Sequence, residues 1–441
     1  MHNSTTKVTL CLSLLVFGAR LLAQAPAEMT LDDALRLANQ NSLKLGVSQN
    51  ELRKANLARS ELRASGLPQL TVKAGASYAP DQRNFGYDPA VTDGGQLNGQ
   101  IGLEQSLYDG GARRLKTEQL ALDFEKLRTE QHLMERDLVA EVKQRFIELL
   151  QAKLRFALQQ ESVSQLQSYF DLVRSMNRGG GVPYTDVLKT QVDLANAEVA
   201  LEKAHNSKLS AIYALELATG LTVDTSLTVR GTLDSLSFGN ADSLLSVPPT
   251  DPAHAIELYS ANLDVHRSEL DVQIARRERR PLIDLTADAG YLSSRDNLTV
   301  PANERYGGLG FSAGVNAALP LFNGGATRMR IQQAELEANA LRIQRQLLER
   351  SLTSQMQSLR LQIQSETQTL NNLRQTIDTA EQNYLLMRST YAGGGTTATE
   401  VLSAQEMLRD AKLSELESLA AIAQLKVQLE QASTPYTGAQ P

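Results

Sequence analysis

Residues able to do chemistry are few in this chain and poorly spaced for it. Beyond His2 the histidines are His132, His205, His254 and His266. No two of them stand at the spacing that holds zinc on one helix face, so neither a metal nor a cofactor is expected. No Gly-x-Ser-x-Gly elbow occurs, and Gly179-Gly180-Gly181 lacks the Gly-Lys-Ser/Thr ending with which a glycine loop cradles phosphate. The expectation is a protein without catalysis, so any work it takes part in must be driven by a partner.

Other residues invite a functional reading of a different kind. Two triple glycines, Gly179-Gly180-Gly181 and Gly393-Gly394-Gly395, each end a long run free of Gly and Pro. Val182 follows the first and Thr396 the second, and then come Thr185-Asp186-Val187-Leu188 and Thr399-Glu400-Val401-Leu402. Glycine supplies positive φ at a helix end, which makes these turn residues. Small residues also admit a partner's backbone closely, which makes the same residues candidate docking tips. Thr397 and Glu400 fit a capping box, and Asp186 stands where a helix N-terminus favours negative charge. Arg374, Asp378 and Glu381 fall within two turns of one another, as a candidate gate ring or as an ordinary solvated face.

The elements that must position these turns occur twice. Tyr108-Asp109-Gly110-Gly111 is matched by Phe322-Asn323-Gly324-Gly325, and the spacing from Asp109 to Asn323 equals that from Gly180 to Gly394 and from Asp186 to Glu400. Two landmarks that keep one spacing in both halves require a rigid segment of fixed length between them. Ala112 to Arg178 and Ala326 to Ala392 meet that requirement: neither contains Gly or Pro. Leu120, Phe124, Leu127, Met134, Leu138, Val142, Phe146 and Leu149 follow the helical period in the first, and Leu341, Leu348, Leu352, Met356, Leu359, Ile363, Leu370, Leu373, Ile377, Ala380, Tyr384 and Met387 do so in the second. Each predicts a helix of about 100 Å. Shorter helices are expected over 185–219 and 399–431.

Ahead of each long helix the period changes to two. Residues 28–66 read as one helix ended by Pro68. Leu70, Val72, Ala74, Ala76 and Tyr78 then alternate with polar or small residues, and alternation resumes at Leu97, Ile101, Leu103 and Leu107 after a polar loop, 79–96. The second half repeats this with a helix from Ala253 to Arg280 and a strand from Leu282 to Leu292. After a loop, 293–305, a further strand runs from Tyr306 to Phe322. Each strand pair leads into the start of a long helix, so all four strands belong at one end of the molecule. Four strands cannot close a barrel, and an open edge is not tolerated in lipid. Membrane barrels begin at about eight strands, so several copies are required.

Bulk composition agrees with helices and gives no other lead. The chain has 441 residues, no Trp, 5% aromatics and a net charge of −6 without a basic block, so nucleic acid is not an expected partner. Lys7, the apolar run 8–19 and small residues at Ala23 and Ala25 read as a signal peptide over 1–23, with cleavage after Ala23 preferred to Ala25 because Pro26 follows the latter. Cys11 lies within that run and is a poor lipidation site, so a mature chain would have no cysteine. No other stretch reaches the roughly 18 apolar residues of a membrane helix. The organisation expected is a signal peptide (1–23), a first repeat (28–220), an irregular linker (221–252), a second repeat (253–432) and a disordered tail (433–441). Gln355, Gln357, Gln362, Gln364 and Gln368 either solubilise a helix or line a wet tunnel. Arg276, Arg277, Arg279 and Arg280 either cap an exposed helix end or face anionic headgroups.

Over essentially its whole mature length the chain resembles the TolC-like outer-membrane efflux protein family. The residues that carry the resemblance are Tyr108-Asp109-Gly110-Gly111, Phe322-Asn323-Gly324-Gly325, the two Thr-Asp/Glu-Val-Leu runs and the strand entry Leu67-Pro68-Gln69-Leu70. The resemblance implies a mixed fold, α and transmembrane β. In it a homotrimer forms a twelve-stranded outer-membrane β-barrel, four strands per chain, continued by a long α-helical barrel in the periplasm. It further implies an exit duct of a tripartite efflux or type I secretion system, with a periplasmic adaptor (membrane fusion protein), an inner-membrane pump and outer-membrane lipid as partners. The family's tips often carry Val-Gly-Leu or Val-Gly-Thr. Here Gly180 and Gly394 align with the family glycine while the flanking Val is glycine. The rival expectation is a structural periplasmic coiled coil without a pore.

Overall fold

The computed structural model describes residues 28–79, 94–221, 228–233, 255–295 and 306–435. The expected signal peptide with both cleavage positions, most of the linker, residues 80–93 and 296–305 of the expected loops and residues 436–441 of the expected tail lie outside the described residues, while residues 79, 94–96 and 293–295, expected as loop, are strand.

Helices dominate. In chain order they are α1 (Leu31–Asn41), α2 (Leu43–Ala64), α3 (Ala112–Arg178), α4 (Tyr184–Thr219), α5 (Ile256–Arg277), α6 (Ala326–Ala392) and α7 (Ala398–Ser433). The expected long helices α3 and α6 each run unbroken for 67 residues, and α4 and α7 for 36. At 1.5 Å per residue the long pair reaches about 100 Å. The Asp-Gly-Gly motif starts α3 for an identifiable reason. Asp109 accepts backbone hydrogen bonds from Gly111 (3.0 Å) and Arg113 (2.6 Å), satisfying donors a helix start leaves free.

Strands β2 (Gln69–Ala79), β3 (Gly94–Tyr108), β5 (Leu282–Arg295) and β6 (Tyr306–Ala318) form one antiparallel sheet in the order β2-β3-β5-β6. A separate parallel pair joins β1 (Glu28–Met29) to β4 (Thr228–Val229). The register of the large sheet sorts its faces. Leu70 pairs with Leu103, Val72 with Ile101, Ala289 with both Ile101 and Phe311, and Tyr291 with Leu309. The opposite face carries Thr71, Lys73, Asn98, Gln100, Glu104, Thr286, Asp288, Ser312 and Asn316. Among the described residues nothing covers the apolar face: Val72 is 78% exposed, and Leu309 and Phe311 are each 88% exposed.

Four expectations are corrected. Residues 28–66 are not one helix. Glu28 and Met29 pair as a strand, Thr30 caps α1 through a capping box with Asp33, and extended Ser42 restarts the helix by accepting from Leu45 N at 3.4 Å. The last strand stops at Ala318, not Phe322, since Pro320 has no N–H to donate. Met134, expected in the apolar stripe of α3, is exposed. The start of the expected tail is ordered as well: Ser433 ends α7, and Pro435 bridges to Ala255.

Two large cores among the described residues hold the rods, with smaller clusters between α6 and α7 and between α5 and α6. Midway along α3, Leu138, Val142, Phe146, Ile147 and Leu150 pack with Ala34 and Ala38 of α1, Ile212 and Leu215 of α4, Val229 of β4, and Leu416, Ala420 and Val427 of α7. Charged side chains clasp its rim: Lys143 reaches Glu430 at 2.6 Å, and Lys153 donates to Val229 O at 2.8 Å. Phe146 is fully buried. Phe146→Ala is expected to cost about 3–5 kcal/mol, read as a lowered thermal midpoint of the purified protein. The second core lies at the end far from the sheet.

Candidate functional site

The two glycine turns close their helix ends in the same way. At the first, Gly180 is left-handed (φ +75°), its N–H donates to Asn177 O (3.0 Å), and Gly181 N–H donates to Met176 O (2.9 Å). At the second, Gly394 has φ +77°, its N–H donates to Tyr391 O (3.0 Å), and Gly395 N–H donates to Thr390 O (2.9 Å). Both are Schellman closures, which satisfy the last carbonyls of a helix and favour glycine at the left-handed position. Among the described residues, a Cβ at Gly180 or Gly394 would meet nothing within 4 Å beyond its chain neighbours. Only the left-handed backbone disfavours a side chain there, and the space outside both turns is open.

Beyond the turns the tips differ. Pro183 precedes α4, Asp186 lies in its first turn, and Asn177 Nδ2 braces the loop by donating to Val182 O (2.8 Å). At α7 the expected capping box forms: Thr397 Oγ1 accepts from Glu400 N (3.4 Å), and Glu400 Oε2 accepts from Thr397 N (3.0 Å) and from the Thr396 hydroxyl. Those donors, the Thr396 hydroxyl first, hold the Glu400 carboxyl below its usual range. The cap is therefore fully charged at neutral pH, and its contribution fades only as pH falls through that lowered value.

The structure brings the two tips together. Tyr169 and Val173 of α3, Val187 and Leu194 of α4, Tyr384 and Tyr391 of α6, and Ala398, Val401 and Leu402 of α7 form one buried cluster. The Tyr169 and Tyr391 rings meet at 5.5 Å in a tilted arrangement. Tyr391 donates across the tips to Asp186 Oδ2 at 3.5 Å, and Lys189 Nζ donates to Thr399 Oγ1 at 2.7 Å. Burial, reinforced for Tyr391 by the charge of Asp186, raises both phenol pKa values, so both hydroxyls stay protonated. A cleft of about 280 Å³ opens beside this tie between α3, α4 and α7, lined by Leu166, Lys189, Asp193, Thr399, Gln405 and Arg409. Burial pushes the Asp193 carboxyl up within it, against the pull of Lys189.

Thr185, Asp186, Thr399 and Glu400 thus lie beside the glycines, as the sequence placed them. Tyr391 and Tyr169 were not singled out there. The apolar stripe of α6 held a signal for Tyr391, because Tyr384 extends by two turns to it. Arg374 sits elsewhere: its Nε donates to Glu415 of α7 at 3.3 Å, and Asp378 and Glu381 are exposed. The glutamines at 355, 357, 362, 364 and 368 are all exposed. Among the described residues no helix is long and apolar enough to cross a membrane, and no cluster of metal-ligating residues occurs.

About nine-tenths of the chain is similar to known proteins. The TolC outer membrane protein of Salmonella enteritidis is 23% identical over 411 residues, covering 90% of this chain and 79% of that one. The solved structure of CusC superimposes with a TM-score of 0.75 at 16% identity, covering 91% of each chain. That of the outer membrane protein VceC from Vibrio cholerae gives 0.73 at 17%, covering 92% of this chain and 96% of that one. At such identities the structures establish the fold. A family model described as outer membrane efflux protein matches residues 34–221 and again 253–433. With both halves of the chain accounted for by one description, the protein belongs to the outer membrane efflux protein family and acts as an exit channel of the outer membrane that reaches into the periplasm.

Proposed function

We propose that three copies of this chain close into a passive duct whose twelve strands cross the outer membrane and whose helices continue the tube towards the inner membrane. The observation that carries this reading is the sheet. One face is apolar from edge to edge and uncovered, the other is polar, and both β2 and β6 are open edges. An exposed apolar surface of that extent belongs against lipid. Open edges in lipid must be paired, and β6 of one copy against β2 of the next pairs them in a ring.

The helices support the same closure. Beside the sheet α2 lies on α3, α3 on α5 and α5 on α6, the order of the strands above them. The outer helices bear unpartnered apolar stripes: Leu43, Val47 and Leu57 on α2, and Leu336, Ile343, Leu347 and Leu361 on α6. Nearer the tips the free stripe is on α4, at Tyr184, Leu188, Val192 and Val199. A head-to-tail contact between copies buries the edges of sheet and helices together, which is the geometry of a closed ring. A helical protein without a pore has no use for a sheet sorted in this way. Cysteines placed on facing edges of β6 and β2 test the arrangement, since Cys11 is the chain's only native cysteine. They are expected to give a covalent trimer in outer-membrane fractions. A ladder that stops at dimer or monomer would refute the ring.

Within this duct the paired tips are the docking surface for a periplasmic adaptor, which links them to an inner-membrane pump that supplies the energy. The tie between Tyr391 and Asp186 holds the two hairpins of each copy together and keeps the periplasmic mouth narrow. On this reading the gate lies about 25 Å further along α6 than Arg374. Tyr391→Phe keeps the buried ring and removes the donor. Purified trimers of that variant are expected to show larger conductance in planar bilayers, with unchanged assembly. A current record indistinguishable from the parent would take Tyr391 out of the gate.

A further inference from the structure

The four junctions between sheet and helices carry a concentration of positive charge that neither the duct nor its tips require. The chain as a whole is acidic, with a net charge of −6, yet residues 276–280 hold four arginines around one glutamate, and Arg113, Arg114, Arg328 and Arg330 stand at the starts of the two long helices. Two of the acids nearby are committed. Both Asp109 oxygens accept from the backbone at the start of α3, and Glu278 is paired with Arg330 at 2.9 Å. Arg276 is itself paired, with Glu335 at 2.7 Å. Arg114, Arg279, Arg280 and Arg328 are exposed.

These residues form a continuous band. The Arg113 guanidinium lies so close to Gly66 that a Cβ there would fall 2.9 Å from Nη1, which joins the α2–β2 junction to the β3–α3 junction. Gly110 lets Arg280 close in on the β3–α3 turn: a Cβ on Gly110 would fall 2.9 Å from that of Arg280, and Arg280 Nη1 donates to Gly110 O at 3.5 Å. The ion pair between Arg330 and Glu278 joins the fourth junction to the third. Arg280 stands three residues from Ile283, which pairs with Tyr108 at the end of the apolar face, and Tyr108 is exposed. A ring of guanidinium groups directly below an apolar wall matches the level at which hydrocarbon gives way to headgroups.

We infer that this band is a binding collar for anionic phospholipid headgroups of the leaflet that faces the periplasm. The inference rests on the proposed barrel, which puts the apolar face in the membrane and the helices on the periplasmic side. Guanidinium forks suit phosphodiester oxygens, which they bind in bidentate fashion, and basic residues at a membrane surface favour anionic lipid. The collar would fix the depth of the barrel and orient the helical tube below it.

The test reconstitutes full-length trimers into nanodiscs holding equal amounts of phosphatidylglycerol and phosphatidylcholine with identical acyl chains. Lipids retained by the protein are then counted by native mass spectrometry. The parent is expected to retain phosphatidylglycerol at least about fivefold over phosphatidylcholine. The combined variant Arg114→Gln, Arg279→Gln, Arg280→Gln, Arg328→Gln should lose that preference, and the matching set of four Arg→Lys changes should keep most of it. Equal retention of the two lipids by the parent overturns the collar, and the parent alone decides this if the glutamine variant fails to assemble. A glutamine variant that assembles and keeps the full preference overturns it as well. Absence of trimers in either lipid would instead count against the barrel.

Discussion

Phe311→Arg is expected to abolish barrel assembly, whereas Ser312→Arg, one residue along the same strand, is expected to leave it intact. Phe311 lies opposite Ala289 on the apolar face and Ser312 lies opposite Asp288 on the polar one. An arginine on the lipid face near mid-membrane costs about 2–4 kcal/mol per chain, and a ring of three copies multiplies that cost at a step where all must insert together. On the other face the new guanidinium meets water and the carboxylate of Asp288. The readout is the heat-modifiable trimer band of isolated outer membranes. Equal loss in both variants would mean that the sheet is not sorted between lipid and lumen. Equal survival would mean that Phe311 does not face hydrocarbon.

Changing Gly180 and Gly394 together separates a turn from a docking surface. Asparagine is among the few residues that enter the left-handed region with little penalty, and nothing in the chain obstructs a side chain at either position. The double variant Gly180→Asn, Gly394→Asn should therefore keep both helix closures and normal trimers, yet lose efflux, because an approaching adaptor meets side chains where it requires bare backbone. Bulkier Gly180→Leu, Gly394→Leu adds about 1–2 kcal/mol of backbone strain per tip and should lose efflux as fully. Export is scored as drug resistance in cells relying on this channel, with trimer levels measured in parallel. Full resistance in the asparagine variant would reduce the glycines to turn formers.

Much of the fold was legible because long elements carry redundant signals. The two runs without Gly or Pro, bounded by glycine motifs at matched spacing, became helices with the expected limits. The four alternating segments became one sheet because a period of two is unmistakable over ten residues. What escaped was decided by few atoms or by distant partners. The break at Ser42 rests on one side-chain cap, and β1 exists only because β4 lies beside it, far along the chain. The tips were legible as turns, since glycine at a helix end has few other uses. Their tie was not. Tyr391 and Asp186 are separated by 205 residues, and only the packing of one hairpin on the other brings the hydroxyl to the carboxylate. The charged trio at 374–381 shows the converse, for proximity along a helix did not decide what Arg374 touches once α7 supplied Glu415.

The matched lengths of α3 and α6, and of α4 and α7, work as a built-in ruler. Adding a single residue to one rod would push its far end down by about 1.5 Å and swing it by about 100°, tilting the mouth and turning buried tyrosines outward. Growth of the tube, to suit a wider gap between the two envelopes, is thus restricted to paired insertions of whole double turns in ascending and descending rods alike. Relatives with longer ducts should differ from this one in steps of about seven residues, entered four times over.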